Sequence, residues 1–422
     1  MSGREFVFVP GPTNIPDRVV RAMMAPMEDH RSSRFPEITF GLLRDLKKVF
    51  KTNEGRSLIF SSSGTGGWEA ALANTLSPGD KVLAARLGHF SDVSITIAQR
   101  LGLDVQIVDE VWGSSISIPR IEGILRADRK HAIKGVCVVH NETTTGVTSD
   151  IAGIRQAMDA AGHPSLLYVD GISSIGSIDF RMDEWGVDLA VAGSQKGFML
   201  PPGLALIAVS PKAAAACKRA GCRRAYFDFC DMLEANKSGY FPHTPPISLL
   251  HGLRESLNMM FEETLDGIFE RHRRLAQGVR AAVQAWRLRP VALDPRRSSD
   301  TVTAVHVPAG FDSRDVVDAA FRRYQLALGA GLSRFTGKVF RIGHLGDLNE
   351  LMVLGALAGV EMAMCDVGID IELGSGIAAA ARDFRTYWHS TRSAASAAAA
   401  SRGDVCRPRD HSNTDALSST QP

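Results

Sequence analysis

Between residues 57 and 209 short apolar runs alternate with longer helical patterns, and that alternation limits the possible folds more than any other feature of the chain. The runs lie at 57–60, 81–84, 105–108, 135–139, 166–169, 189–192 and 205–209, and most are rich in Val, Ile, Leu and Ala. Runs this short and this continuously apolar read as strands buried on both faces. Helices between several of them imply βαβ units, because strands lying side by side in the same direction need a crossover. The expected fold class is therefore α/β, with a large domain built on a mostly parallel seven-stranded sheet.

The 422 residues exceed one typical domain, and the patterning changes in the second half. Residues 247–286 read as a long amphipathic helical stretch able to connect two domains. Strand, helix and strand patterns follow at 301–307, 312–324 and 338–342, and a last helix at 349–364. A smaller C-terminal α+β domain fits this half. The first residues carry Pro10, Gly11, Pro12 and Pro16, which favour an extended arm. From about Ser390 the chain turns to Ser, Ala and Arg without apolar periodicity, and a disordered tail is expected. The expected division is an arm at 1–20, a large domain at 21–265, a small domain at 266–389 and a tail at 390–422.

With 48 basic and 46 acidic side chains the charges nearly cancel, so nothing in the balance points to nucleic acid or an anionic membrane. A small-molecule partner is expected. The apolar stretches near 197–211 and 351–364 fall short of the ~20 residues a spanning helix needs, and no signal peptide is evident. The six cysteines are scattered, and the spacing of Cys217, Cys222 and Cys230 is not that of a zinc site. Reduced thiols, a cytoplasmic location and no metal are the expectation.

Three local signals carry chemistry. Residues 61–67 read Ser-Ser-Ser-Gly-Thr-Gly-Gly between a strand and a helix. Glycines free the backbone N–H groups there, and a helix N-terminus adds a positive field, which together suit a phosphate. A purely structural turn is the alternative. The run lacks both the dinucleotide pattern and the Gly-Lys-Ser/Thr of a nucleotide-binding loop. Asp170 follows the run 166–169, where ligands of open α/β sheets bind, although a turn or N-cap aspartate would look the same. Lys196 interrupts two apolar runs, where an ammonium is costly to desolvate and tends to lose its proton or gain a covalent partner; the alternative is a head group that escapes to solvent.

Pyridoxal phosphate needs a phosphate cradle, an amine for its aldehyde and an acid beside its ring nitrogen, all at one end of a sheet. The order of glycine-rich turn, Asp170, then Lys196 supplies all three.

The ordered segments 10–14, 63–71, 141–147, 168–174, 193–196 and 339–346 resemble the class V aminotransferases of fold type I, from about Phe8 to Met364. That group includes alanine-glyoxylate, serine-glyoxylate and serine-pyruvate aminotransferases, and the wording of 339–346 is most similar to bacterial serine-glyoxylate members. The resemblance implies a pyridoxal-phosphate aminotransferase moving the amino group of serine to glyoxylate by a ping-pong reaction, with the alanine-glyoxylate and serine-pyruvate activities as alternatives. It implies that Lys196 carries the cofactor and moves the substrate proton, and that Asp170 holds the ring nitrogen's proton. Ser63, Gly64, Thr65 and Gln195 would hold the phosphate. Thr143 would sit by the ring hydroxyl, Phe90 would stack on the ring, and Arg341 would grip the substrate carboxylate. A homodimer is implied, with Thr244 and either Tyr240 or Phe241 reaching the neighbouring cofactor. His30 and His89 read as structural or solvent-facing. A cysteine desulfurase-like lyase would need a thiol near the substrate, and 326–346 contains none. A non-catalytic binding protein of this fold would be expected to have lost Lys196, Asp170 or Arg341, and all three are present.

Overall fold

A computed structural model describes the backbone of residues 5–401 and the side chains of residues 5–389. The strands are β1 (Phe6–Phe8), β2 (Arg56–Ser62), β3 (Lys81–Arg86), β4 (Asp104–Asp109), β5 (Ile133–Val139), β6 (Asn141–Glu142), β7 (Val147–Thr148), β8 (Leu166–Asp170), β9 (Leu189–Gly193), β10 (Gly203–Val209), β11 (Arg289–Pro290), β12 (Val302–His306), β13 (Leu326–Ala330) and β14 (Val339–Gly343). The helices are α1 (Asp17–Met23), α2 (Phe35–Val49), α3 (Gly64–Thr75), α4 (His89–Arg100), α5 (Ile118–Ala127), α6 (Ile151–Ala160), α7 (Pro211–Cys217), α8 (Phe229–Asn236), α9 (Ile247–Glu263), α10 (Leu265–Ala285), α11 (Ser313–Tyr324), α12 (Glu350–Asp366) and α13 (Ser375–Ser401).

The seven expected strands form one sheet in the order β2-β10-β9-β8-β5-β3-β4. The strands from β9 to β4 pair in parallel, whereas β10 runs antiparallel to both β9 and β2. The cause is the connection: residues 194–202 are too few for a helical crossover, so the chain returns directly. Leu58 and Phe60 enter one core cluster and Ile59 the other; Tyr168 and Leu167 divide the same way. Both faces of the sheet are therefore covered, which is why its strands read as unbroken apolar runs.

A five-stranded sheet, β1-β13-β14-β12-β11, forms the second half with its own core around Leu275, Phe340, Ile342 and Leu357. Here the structure adds what the patterns missed. The expected arm is extended only as far as Pro16, since α1 begins at Asp17, and its Phe6–Phe8 segment pairs in parallel with β13 and buries Phe8 in this second core. The stretch 247–286 is two helices, because Thr264 leaves helical geometry at φ 70° and its hydroxyl caps Gly267 at 3.1 Å. Strand β13 carries no strand signal in the sequence, because five residues of Leu, Ala and Gly have little β propensity. Helix α13 continues through 390–401, into the stretch expected to be a tail; its alanine-rich composition favours helix without needing an apolar stripe. Residues 402–422 lie outside the described residues. None of the described helices is long and apolar enough to cross a membrane.

Helix α13 is fastened by one buried carboxylate. Glu361 on α12 is fully buried and accepts Trp286 Nε1 at 2.8 Å, Gly374 N at 2.6 Å, Gly376 N at 2.7 Å and Ile377 N at 3.3 Å. It thereby satisfies the first turn of α13 and the indole below it. Removing it leaves several buried donors without an acceptor. Glu361→Ala should lower stability by about 2–4 kcal/mol in urea unfolding of the full chain. A change below ~0.5 kcal/mol would mean that water replaces the carboxylate without cost.

Candidate active site

Asp170, the last residue of β8, pairs in register with Val191 of β9, and the return after β9 carries Lys196. The glycine-rich turn opens α3 after β2. These segments converge on Ile172: a Cβ added to Gly64 would lie 2.5 Å from its Cδ1, and one added to Gly193 would lie 3.3 Å from its Cγ2. The three signals read from the sequence therefore lie together at the carboxyl end of the sheet.

Asp170 is 7% exposed, and its Oδ1 accepts Ile172 N at 3.0 Å. Burial pushes its pKa up to about 7; the Ile172 N–H and Lys196 pull it down, while Glu142 pushes it further up. Lys196 is half-buried by surface, yet protein surrounds its ammonium closely enough that desolvation draws the pKa down to about 8. The charge of Arg341 adds to that shift, and Asp170 opposes it. An amine that is neutral near pH 8 can attack an aldehyde.

Ser63 caps α3, its hydroxyl accepting Gly66 N at 3.5 Å, and Gly67 N bonds to Ser63 O at 3.0 Å. The N–H groups of Gly64 and Thr65 precede the first helical bond and have no acceptor inside the helix. Ser63 and Thr65 are exposed, so this end of the helix is open. Gln195 lies beside it with a buried side-chain oxygen that has no hydrogen-bond partner among the described residues. A Cβ on Gly193 would come within 2.9 Å of that atom. The free N–H groups of this helix N-terminus suit a phosphate-bearing ligand, to which Gln195 would add its Nε2 as a donor; its buried Oε1 is an acceptor and calls for a donor from another group.

The N-terminal arm closes the site from the second sheet. Lys196 Nζ donates to Pro10 O, Thr13 N donates to Gln195 O at 3.2 Å, and the Thr13 hydroxyl donates to Lys196 O at 3.3 Å. Gly11, at φ +99°, has room for no Cβ, since one would run into the Lys196 side chain. None of these contacts is legible in the sequence. Arg341 on β14 faces Gly329 of β13, where a Cβ would lie 3.1 Å from the Arg341 Cβ. Its Nε donates to Ala330 O at 2.9 Å and its Nη1 to Thr143 O at 3.2 Å, and it is 7% exposed. Burial lowers its pKa to about 10, and Glu142 works against that shift.

Thr143 is buried in the turn after β6, and Phe90 is half-buried in the first turn of α4. Between them lies Glu142, in the segment 141–147. Nothing in the sequence says that its carboxylate is fully buried. His89 Nδ1 lies 2.9 Å from Ser333 Oγ on the exposed rim, and His30 packs edge-on against Phe35. Tyr240, Phe241 and Thr244 are the residues that these contacts do not gather in. The Tyr240 hydroxyl donates to Ser32 O at 3.2 Å, Phe241 packs edge-on against Phe35, and Thr244 is exposed.

The family described as aminotransferase class-V matches residues 6–334. The chain is 56% identical over 388 residues to the serine-glyoxylate aminotransferase of Methylorubrum extorquens, covering 91% of this chain and 96% of the relative. It is 52% identical over 385 residues to the L-aspartate-glyoxylate aminotransferase of Paracoccus denitrificans, covering 91% and 97%. The crystal structure of ureidoglycine-glyoxylate aminotransferase from Bacillus subtilis superposes with a TM-score of 0.84 at 28% identity, covering 91% of this chain and 99% of that one.

The lowered pKa of Lys196 gives a pH dependence of definite sign. The neutral amine grows as pH rises through about 8. Capture of pyridoxal by the cofactor-free chain, trapped with borohydride and mapped to a peptide, should label Lys196 at a rate that rises to about pH 8 and then levels. Labelling of Lys212 or Lys218 instead, or a rate still climbing toward the ordinary lysine value of ~10.4, would contradict the assignment.

Proposed function

Because this chain belongs to the class V aminotransferases and shares their α/β fold, we propose that it moves the amino group of serine to glyoxylate, giving hydroxypyruvate and glycine, in a ping-pong cycle on pyridoxal phosphate held by Lys196. The observation that carries the reading is the convergence of a desolvated lysine, a buried aspartate and an open helix N-terminus. The two relatives named above share glyoxylate and differ in the amino donor, which supports the acceptor more strongly than the donor. Alanine as donor and pyruvate as acceptor remain the neighbouring alternatives.

When bound, pyridoxal phosphate would supply a conjugated ring able to take up the electron pair left as the substrate Cα–H bond breaks. The Gly64 and Thr65 N–H groups, the Ser63 and Thr65 hydroxyls and the Gln195 amide would hold its phosphate. Asp170, a strong base for a carboxylate because it is buried, would keep a proton on the ring nitrogen. Phe90 would cover one face of the ring, and Thr143 would lie near its hydroxyl.

Lys196 Nζ takes the proton from the donor's α-carbon in one half of the cycle and gives one to the acceptor's α-carbon in the other. Its pKa of about 8 lets it do both near neutral pH. Arg341 offers a planar fork to the carboxylate that serine and glyoxylate share. Its two backbone acceptors fix the fork in advance, so little side-chain freedom is lost on binding. The arm at 1–20, a large domain at 21–265 carrying Lys196 and Asp170, and a small domain at 266–389 carrying Arg341 are proposed as the working units. A cytoplasmic homodimer is proposed as the working assembly. The exposed Thr244, with Tyr240 or Phe241, would serve the neighbouring subunit.

Asp170→Asn should retain the fold and lose at least about 100-fold in kcat, since an amide cannot pair with a pyridinium cation; activity within a factor of ~3 of wild type would end this role. Arg341→Ala should weaken serine and glyoxylate alike, because one clamp serves both. Rapid mixing with single amino acids, followed by the cofactor's absorbance, tests the substrates directly. A much faster change with aspartate than with serine, or a much faster reversal by 2-oxoglutarate than by glyoxylate, would overturn the substrate reading and leave the transamination standing.

A further inference from the structure

Glu142 is a fully buried carboxylate with no part in the roles proposed for its neighbours. It ends β6, next to Thr143. Its hydrogen-bond partners among the described residues are main-chain N–H groups: Ser91 N at 3.0 Å, Phe90 N at 3.4 Å and Thr144 N at 3.1 Å. Phe90 and Ser91 lie in the first turn of α4, where N–H groups lack helical acceptors and the helix dipole favours negative charge. Gly88 leaves the space, since a Cβ there would run into the Glu142 side chain. One carboxylate thus ties the helix end that carries Phe90 to the turn whose Thr143 carbonyl holds Arg341. Its charge also reaches Arg341 and opposes the lowering of the guanidinium's pKa by burial.

We propose that Glu142 is a positioning residue for the reaction: it seats Phe90 over the cofactor site, and it supplies the standing counter-charge to Arg341 against which a substrate carboxylate must compete. The proposal rests on Arg341 as the carboxylate clamp and Phe90 as the stacking residue. A residue needed only for packing would, when altered, loosen every interaction nearby. A counter-charge, when removed, should make the clamp bind a carboxylate more tightly while the misplaced ring slows turnover.

Acetate is the probe, with its Kd measured by calorimetry on the cofactor-loaded enzyme. Arg341→Ala should weaken acetate at least about tenfold. Glu142→Gln should tighten it at least about threefold, because the opposing charge is gone. Glu142→Asp keeps the charge but withdraws it from α4; it should leave acetate within about twofold of wild type and lower kcat, and that loss should shrink when Phe90→Ala is already present. Unchanged or weaker acetate binding in Glu142→Gln, with Arg341→Ala behaving as expected, overturns the proposal alone. Acetate binding unaffected by Arg341→Ala overturns the clamp and the proposal together. Should Glu142→Gln not fold, the Glu142→Asp and Phe90→Ala pair decides: strictly additive losses, or an unchanged kcat in Glu142→Asp, reject the positioning role.

Discussion

An ammonium kept from water has to lose its proton, find a partner or be held by groups that offset the cost, and the placement of Lys196 imposes that choice on everything around it. The nine-residue return between β9 and β10 cannot carry Lys196 out to the surface, because both flanking strands are buried and paired on either side. Pro10 O, from the far end of the chain, accepts the amine, and Thr13 secures the main chain on either side of it. Gly11 is required where arm and lysine meet. Asp170 and Arg341 then set the local field with opposite effects on the same amine. All three groups are drawn toward neutrality by burial; Asp170 and Lys196 moderate each other, Arg341 draws Lys196 further toward neutrality, and Glu142 moderates Arg341.

The second sheet reaches this site through a polar seam. Asn141 Nδ2 donates to Ser173 Oγ and to Thr301 Oγ1, each at 2.9 Å, joining the turn after β5, the loop after Asp170 and the entry to β12. Arg297 pairs with Asp150 at 2.8 Å, and Ser299 N bonds to Gly146 O at 2.8 Å. Directional bonds of this kind fix a register that apolar packing would leave free to slide. The consequence lies at β14, where Arg341 is delivered to the Thr143 turn with its fork already bonded to two carbonyls. A small difference in how the sheets sit would move Arg341, the proposed carboxylate clamp, relative to the lysine, and positioning errors of that size are costly in catalysis.

The legible part of the molecule is the part that rests on local pattern. The seven strands of the large sheet are readable because burial on both faces demands continuous apolar runs, and the glycine-rich turn, Asp170 and Lys196 are readable because each ends or interrupts such a run with a residue that must be accounted for. Arg341 and Phe90 were recoverable only through resemblance, since an arginine in a strand and a phenylalanine at a helix start have ordinary explanations. The arm's contact with Lys196, the burial of Glu142 and the clasp of Glu361 on α13 left no trace. Each joins residues distant in sequence, and none changes the periodicity of its own segment. Helix α13 escaped for a different reason: its alanines favour helix one residue at a time, whereas the pattern sought was amphipathic.

Taken alone, then, the amino-acid order determined an α/β architecture with a mostly parallel sheet, a second smaller α+β unit, and a glycine-rich turn, an acid and an amine set at strand ends, because these follow from periodicity and from the cost of burying polar atoms. The tertiary structure decided which charges face one another. Lys196 has a lowered pKa and Asp170 a raised one because of how much water their surroundings exclude and how near Arg341 and Glu142 come, and proximity between separate segments is a property of packing.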